Sequence, residues 1–210
     1  QLMDDGEEHL LRIASGGVID DLGPIDGLAD VARPGYNQGT FGEGENAGTL
    51  YVRAMTENAI FAIDVETQTA TRIPLSGPVD NLSDMAARDG YLWGVGLNND
   101  TMFRIDPATG DVDSWAMGLG LNSAYGAQFC LGNGNLALSQ NNTGQVWQVE
   151  IADPASTNPS FSLAIPQPIP GPSSTNNDGA SIPGQPVDLG IVKEATPTYL
   201  PGDDVADTID

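Results

Sequence analysis

The chain repeats itself with a period of 42 to 44 residues, and that period restricts the possible folds more than any single motif. Four segments stack on an apolar, variable, apolar triplet: "LLRIASGGVIDDLG" from Leu10, "IFAIDVETQTATRI" from Ile60, "MFRIDPATGDVDSW" from Met102 and "VWQVEIADPASTNPSFSL" from Val146. Their second residues, Leu11, Phe61, Phe103 and Trp147, lie 50, 42 and 44 residues apart. Ahead of three of them runs a second strand in the same phase, "GTLYVRA" from Gly48, "GYLWGVG" from Gly90 and "GNLALSQ" from Gly134. A still earlier strand recurs as "YNQGTF", "LSDMAA" and "YGAQFC". Four short strands with period-two alternation, repeated at this spacing, are the blade of a β-propeller.

The joints have turn chemistry. In "FRIDPATGDVDSW", residues 103–115, Asp-Pro opens a turn and Thr-Gly supplies a residue able to take positive φ, so the next run pairs back as the outermost strand. A calcium-binding EF-hand loop would need D-x-[DN]-x-[DN]-G and a Glu at position twelve, and this segment has neither. "GNGNLA" (132–137) and "GEGENA" (42–47) match G-x-G-x-x-A, but strands flank both, where a dinucleotide site needs a helix to follow.

Counting strands divides the chain. Residues 1–8 form an acidic N-terminal arm. Residues 9–164 hold the blades: an outer half over 9–23 and three full blades over 36–74, 82–116 and 125–164. A Pro-rich linker covers 165–177. "DGASI" opens a segment, 178–186, that resembles "YGAQF" and is expected to be a closing inner strand; 187–210 reads as the start of a further β module. The expected class is all-β: a partial propeller ring, a fragment of a five-bladed or similar propeller. Missing N-terminal blades or another protein chain are the expected partners of its open edge, since unpaired strand edges invite association.

Composition narrows the partners. Only 7 Lys and Arg stand against 29 Asp and Glu, a formal charge of −22, so nucleic acid and anionic membranes would be repelled. No run approaches the roughly 20 apolar residues of a membrane-spanning helix. "QLMDDGEEHL" lacks the basic start and apolar core of a signal peptide, which places any export signal outside this sequence. One cysteine, Cys130, excludes an internal disulfide, and its flanks read as a strand that buries it.

Residues 9–182 resemble an uncharacterised propeller-like repeat domain of secreted bacterial surface proteins. The resemblance is carried by "LLRIASGGVIDDLG", "GTLYVRAMTENAIFAIDVETQTATRI", "DMAARDGYLWGVGLNNDTMFRIDPATG" and "GAQFCLGNGNLALSQNNTGQVWQV", closing in "NNDGA". The tail "VDLGIVKEATPTYLPGDDVADTI" is similar to the first strand and turn of the immunoglobulin-like stalk modules that follow such domains. Two departures stand out: the family's first blade and the inner half of its second are absent before residue 1, and the stalk module stops after one hairpin. The resemblance implies extracellular display at a bacterial cell surface and adhesion; it brings no catalytic residues.

Chemistry-bearing residues are few. His9 is the sole histidine and sits beside the acidic arm, so a Ser-His-Asp or Cys-His arrangement, or a zinc site, has little to draw on. Propeller axes can gather oxygen side chains from inner-strand ends. Asp84, Gln128 and Asn37, with Asp178, are therefore the candidate calcium ligands, although turn and capping roles suit the same residues. Tyr51, Trp93, Phe103, Trp115 and Trp147 are expected to pack between sheets, with Trp115, after "DVDS", the most exposed of them. Asn81, Asn99 and Asn141 lie in sequons but read as turn asparagines. These observations favour a non-enzymatic binding or structural module that presents loops such as "GLNND" (96–100) and "SQNNTG" (139–144) to a surface glycan or protein. The alternative is a propeller enzyme, hydrolytic or quinone-dependent, with an axial carboxylate and calcium.

Overall fold

The computed structural model describes residues 8–14, 16–28, 31, 35–79, 81–175 and 177–179. β1 (His9–Ile13) and β2 (Ile19–Pro24) form a lone antiparallel hairpin. Three antiparallel sheets then follow in chain order: β3 (Tyr36–Phe41), β4 (Thr49–Ala54), β5 (Ala59–Asp64) and β6 (Thr69–Pro74); β7 (Ala86–Arg88), β8 (Tyr91–Val95), β9 (Thr101–Ile105) and β10 (Val112–Ala116); β11 (Tyr125–Cys130), β12 (Leu136–Gln140), β13 (Gln145–Ala152) and β14 (Ser160–Leu163). Among β1 to β14 every pairing joins strands adjacent in sequence, and no α-helix occurs among the described residues. This is an arc of a β-propeller, three blades and a half, with β3, β7 and β11 innermost.

Period-two alternation explains why the sheets stack face to face. On β8, Leu92 enters the core between the first and second blades while Trp93 enters the core between the second and third. On β9, Met102 joins Trp93 and Phe103 joins Leu92. On β5, Ile60 faces the second blade, and Ala59, Phe61 and Ile63 face the hairpin's Ile25. The first two full sheets thus bury both faces and the third buries the face toward the second, and Ile60, Trp93, Met102 and Leu138 have no solvent exposure.

Asp-led turns close the outer hairpins. Asp106 Oδ1 accepts the Ala108 N–H at 2.8 Å, Gly110 takes φ +81°, and β10 returns with Val112 opposite Ile105. In the first blade Asp64 Oδ1 accepts the N–H groups of Glu66 and Thr67 at 2.9 and 3.0 Å. "DPATGDVD" is therefore a hairpin bend, its carboxylate used by backbone.

The packing refines two expectations. Trp115 is half-buried, less enclosed than Tyr51, Trp93 and Phe103, yet it packs: its ring stacks on Trp93 at 6.1 Å and its indole N–H donates to the Thr157 carbonyl at 3.3 Å. Arg104 causes this, since its guanidinium lies 4.6 Å from the Tyr91 ring centroid and 5.0 Å from that of Trp115. Arg104 also bonds Asp113 at 2.6 Å and the carbonyls of Pro154 and Ser156, which pins the next blade's loop over the outer strand. The Pro-rich stretch, in turn, is more than a linker: β15 (Ile169–Pro170) pairs with Gln145 and Val146 of β13, an edge position that tolerates proline. Residues 187–210 and the stalk reading, with 180–186 of the closing strand, lie outside the described residues.

Candidate functional site

The axial site begins with one surplus residue in each inner strand. Tyr36 pairs with Ala54 but Gln38 with Arg53; Tyr125 pairs with Gln140 but Ala127 with Ser139. In the second blade Leu82 bridges Gly96, yet Ala86 pairs with Trp93. All three slips are β-bulges, which re-aim side chains near the bend. They place Asn37, Ser83 and Gly126 at equivalent positions.

Just beyond the bulge, a buried polar network ties the blades together. Asp84 has no solvent exposure. Its Oδ1 accepts the N–H groups of Met85 at 2.8 Å and Gly39 at 3.3 Å, and its Oδ2 accepts that of Gln128 at 2.8 Å. One carboxyl thus joins the inner strands of the first and third blades to the second. Gln38 Nε2 donates to the Leu82 carbonyl at 2.6 Å and its Oε1 accepts from Arg53 at 3.0 Å. Gln128 Oε1 accepts the Val95 N–H at 3.0 Å. Burial drives the Asp84 pKa well above the ordinary carboxyl range, its three N–H bonds pull it back, and the charge of Asp178 adds to the rise.

Outside this network opens a cavity of about 310 Å³ at one end of the axis. Asn37, Ser83, Asn177 and Asp178 supply its polar wall, and Met55, Leu97 and Tyr125 are on its apolar side. Burial, with the charge of Asp100, pushes the Tyr125 phenol to about 12, so it stays neutral. Surrounding loops are braced across blades. Asn98 N–H donates to the Ser123 carbonyl at 3.1 Å, Asn141 N–H to that of Ala124 at 2.9 Å, and Asn142 N–H to that of Ser174 at 2.7 Å. Asn81, Asn98 and Asn142 hold positive φ, and the Asn141 and Asn99 side chains accept backbone N–H groups. The sequon asparagines Asn81, Asn99 and Asn141 thus serve these turns.

Of the four residues proposed as calcium ligands, the structure brings Asn37 and Asp178 to this cavity and keeps Asp84 and Gln128 in the network beyond it. Two wall residues escape a reading by sequence alone. Ser83 carries a signal, its alignment with Asn37 in "LSDMAA" and "YNQGTF"; Asn177 carries none, because it comes from outside the repeat.

A second recess, about 380 Å³, lies between the β1–β2 hairpin and the first blade. Leu10, Leu11 and Ile25 face Phe41, Leu50 and Ile63 across it. His9 lines it and holds Asp21 at 2.9 Å, and that bond and the Gly23 N–H keep the Asp21 carboxyl below its usual range. Cys130 is packed away from both recesses; burial raises its thiol to about 11, which leaves it unreactive near neutral pH.

A family model described as a repeat of unknown function, DUF6923, matches residues 3–184. No curated protein matches the chain. Among solved structures, virginiamycin B lyase from Staphylococcus aureus is similar at 15% identity over 76% of this chain and 49% of its own, with a TM-score of 0.49. A streptogramin B lyase is similar at 15% identity over 76% and 49%, TM-score 0.46. Glutaminyl cyclase from Myxococcus xanthus is similar at 12% identity over 56% and 53%, TM-score 0.38. The chain spans about half the length of these structures.

Proposed function

We propose that this chain, which belongs to the DUF6923 repeat family, is a non-enzymatic binding module displayed outside a bacterial cell, the propeller head of a surface protein. One observation carries the reading: loops of successive blades, braced by backbone hydrogen bonds, converge on one axial cavity lined by both polar residues (Asn37, Ser83, Asn177 and Asp178) and apolar ones (Met55, Leu97 and Tyr125). Rigid blades beneath pre-organise that rim, which lowers the entropic cost of binding. Asp84, the one carboxyl buried at the axis among the described residues, is taken up by three backbone N–H groups, a structural duty rather than one of proton transfer. A charge of −22 suits a protein that works in ion-rich water, where counterions screen self-repulsion.

The half blade supports a companion reading. Two strands stand where neighbouring sheets have four, and an apolar recess lies between them and the first blade. Further strands, from elsewhere in the protein or from another chain, complete this blade.

The test is binding of the purified chain to a glycan array and to intact bacterial cells, beside a variant with Met55→Asp and Thr175→Asp at the cavity mouth. The expected result is saturable binding that falls at least about tenfold in the variant, with melting temperature unchanged. Binding that ignores the variant overturns the axial assignment. Turnover of a lactone or glycoside, abolished by Asp84→Asn, overturns the non-enzymatic reading in favour of a propeller hydrolase.

A further inference from the structure

The three bulge residues, Asn37, Ser83 and Gly126, line the cavity, and at the third position Asn177 takes the side chain's place. Asn37 Oδ1 and Ser83 Oγ are buried without a hydrogen bond among the described residues. At the third position the bulge residue is Gly126, and the missing side chain makes room for an oxygen from elsewhere. A Cβ on Gly126 would stand 2.3 Å from Asn177 Oδ1 and 2.7 Å from Asn141 Oδ1. Asn177 is held by its Nδ2, which donates to Ser139 Oγ at 3.0 Å, and its Oδ1 too is buried without a hydrogen bond among the described residues. Three residues that each carry such an oxygen, on two blades and on the segment lying over the third, thus line one chamber.

A buried oxygen left without a hydrogen bond is destabilising, so the chamber suits an occupant that supplies hydrogen-bond donors. Its other features narrow the class. Among the described residues no Lys, Arg or His lines it and Asp178 does, which disfavours anions. A wholly apolar occupant would leave the three oxygens unpaired. A bare metal ion fits poorly: calcium takes 6 to 8 oxygens at about 2.3–2.6 Å, and among the described residues a single carboxylate lines about 310 Å³. That volume falls at the lower end of small-molecule sites, which run from about 300 to 1,000 Å³. The Met55 and Leu97 side, opposite the oxygens in chemical character, offers contact to C–H groups.

We infer that the axial cavity binds an uncharged, hydroxyl-rich ligand of monosaccharide size, whose hydroxyls donate to Asn37 Oδ1, Ser83 Oγ and Asn177 Oδ1 while a C–H face lies against Met55 and Leu97. The inference rests on the binding-module reading and gives that site its ligand class.

Isothermal titration of the full chain tests it, with glucose, galactose, mannose and N-acetylglucosamine as neutral probes, glucose 6-phosphate as the anionic control and calcium chloride alone as the cation control. At least one neutral sugar is expected to saturate the protein, with glucose 6-phosphate weaker. Ser83→Ala, which removes one acceptor at little structural risk, is expected to weaken that sugar about fivefold. Gly126→Ala, which drives a methyl group into the Asn177 amide, is expected to abolish it. If Gly126→Ala does not fold, Ser83→Ala and Asn37→Leu decide the matter. Saturation by no neutral sugar overturns the inference, as does equal sugar binding by Ser83→Ala and the parent, or saturation by calcium alone with a Ser83-dependent affinity. Should sugars fail while cells are still bound in a manner sensitive to Met55→Asp and Thr175→Asp, the ligand class falls and the binding module stands.

Discussion

The hairpin β1–β2 and the three full blades are written in the same alternating code, yet they bury very different amounts of it. In the first two blades the middle strands send alternate residues into two cores, and Ile60, Trp93 and, in the third blade, Leu138 are wholly enclosed. In the hairpin only the face toward Ile25 is covered; Ile13 and Ile19, which pair with each other across the strands, are 70% and 63% exposed. An isolated pair of strands is marginal in water because it has no second surface to hide. Alternation specifies which way side chains point, and a neighbouring sheet decides whether that direction stabilises anything.

The difference can be broken at its strongest point. Trp93→Ala removes a fully buried ring that stacks on Trp115 and lies 5.6 Å from the Arg104 guanidinium, and it is expected to cost about 3–5 kcal/mol in urea unfolding. A cost below about 1 kcal/mol would mean that sheet-to-sheet packing is not what orders the blades. Asp84→Ala comes next: it strips the acceptor from three backbone N–H groups on three blades and is expected to cost about 3 kcal/mol.

Proton linkage sharpens the same contrast, because the two regions respond to pH in opposite senses. Burial raises the folded pKa of Asp84 above its ordinary 3.8, so its contribution is fully present below that value and is lost as pH rises through the folded pKa. Asp21, held down by its bond to His9, contributes above 3.8 and loses that contribution as pH falls through its folded pKa. Unfolding curves from pH 4 to 8 are expected to show a decline with rising pH that Asp84→Asn removes; an unchanged slope would place the linkage elsewhere. The smallest effect belongs to the hairpin, where Ile19→Thr is expected to shift stability by no more than about 0.5 kcal/mol, against a several-fold larger cost for Ile60→Thr.

Much of the architecture was legible because period-two alternation and turn chemistry are local. The triplets at Ile60, Met102 and Val146, and the Asp-Pro and Thr-Gly pair at 106–110, each state their own geometry. What binds the blades together is not local. The bonds of Asp84 to Gly39 and Gln128 span 45 and 44 residues, and they depend on bulges that leave no residue signature, since Asn, Ser and Gly occupy the three sites. Asn37 and Asp178 could be picked out as oxygen donors near inner strands; that Asp84 and Gln128 would turn inward to backbone could not. Trp115 was legible only in part. Its charged neighbours pointed to the partial exposure it has, but not to Arg104 on the adjacent strand, which covers the ring while its charge is shared with Asp113.

The surplus residue in each inner strand has a further consequence for how such a chain tolerates change. Deleting one residue from an outer loop, such as 65–68, merely shortens a turn. Deleting Asn37, Ser83 or Gly126 would restore a regular ladder and rotate every preceding residue of that strand by half a revolution, so the half-buried Tyr36 or the buried Leu82 or Tyr125 would move to the opposite side. Indels at these three places should therefore be among the most damaging single events in the arc, though none of the three residues is large or charged.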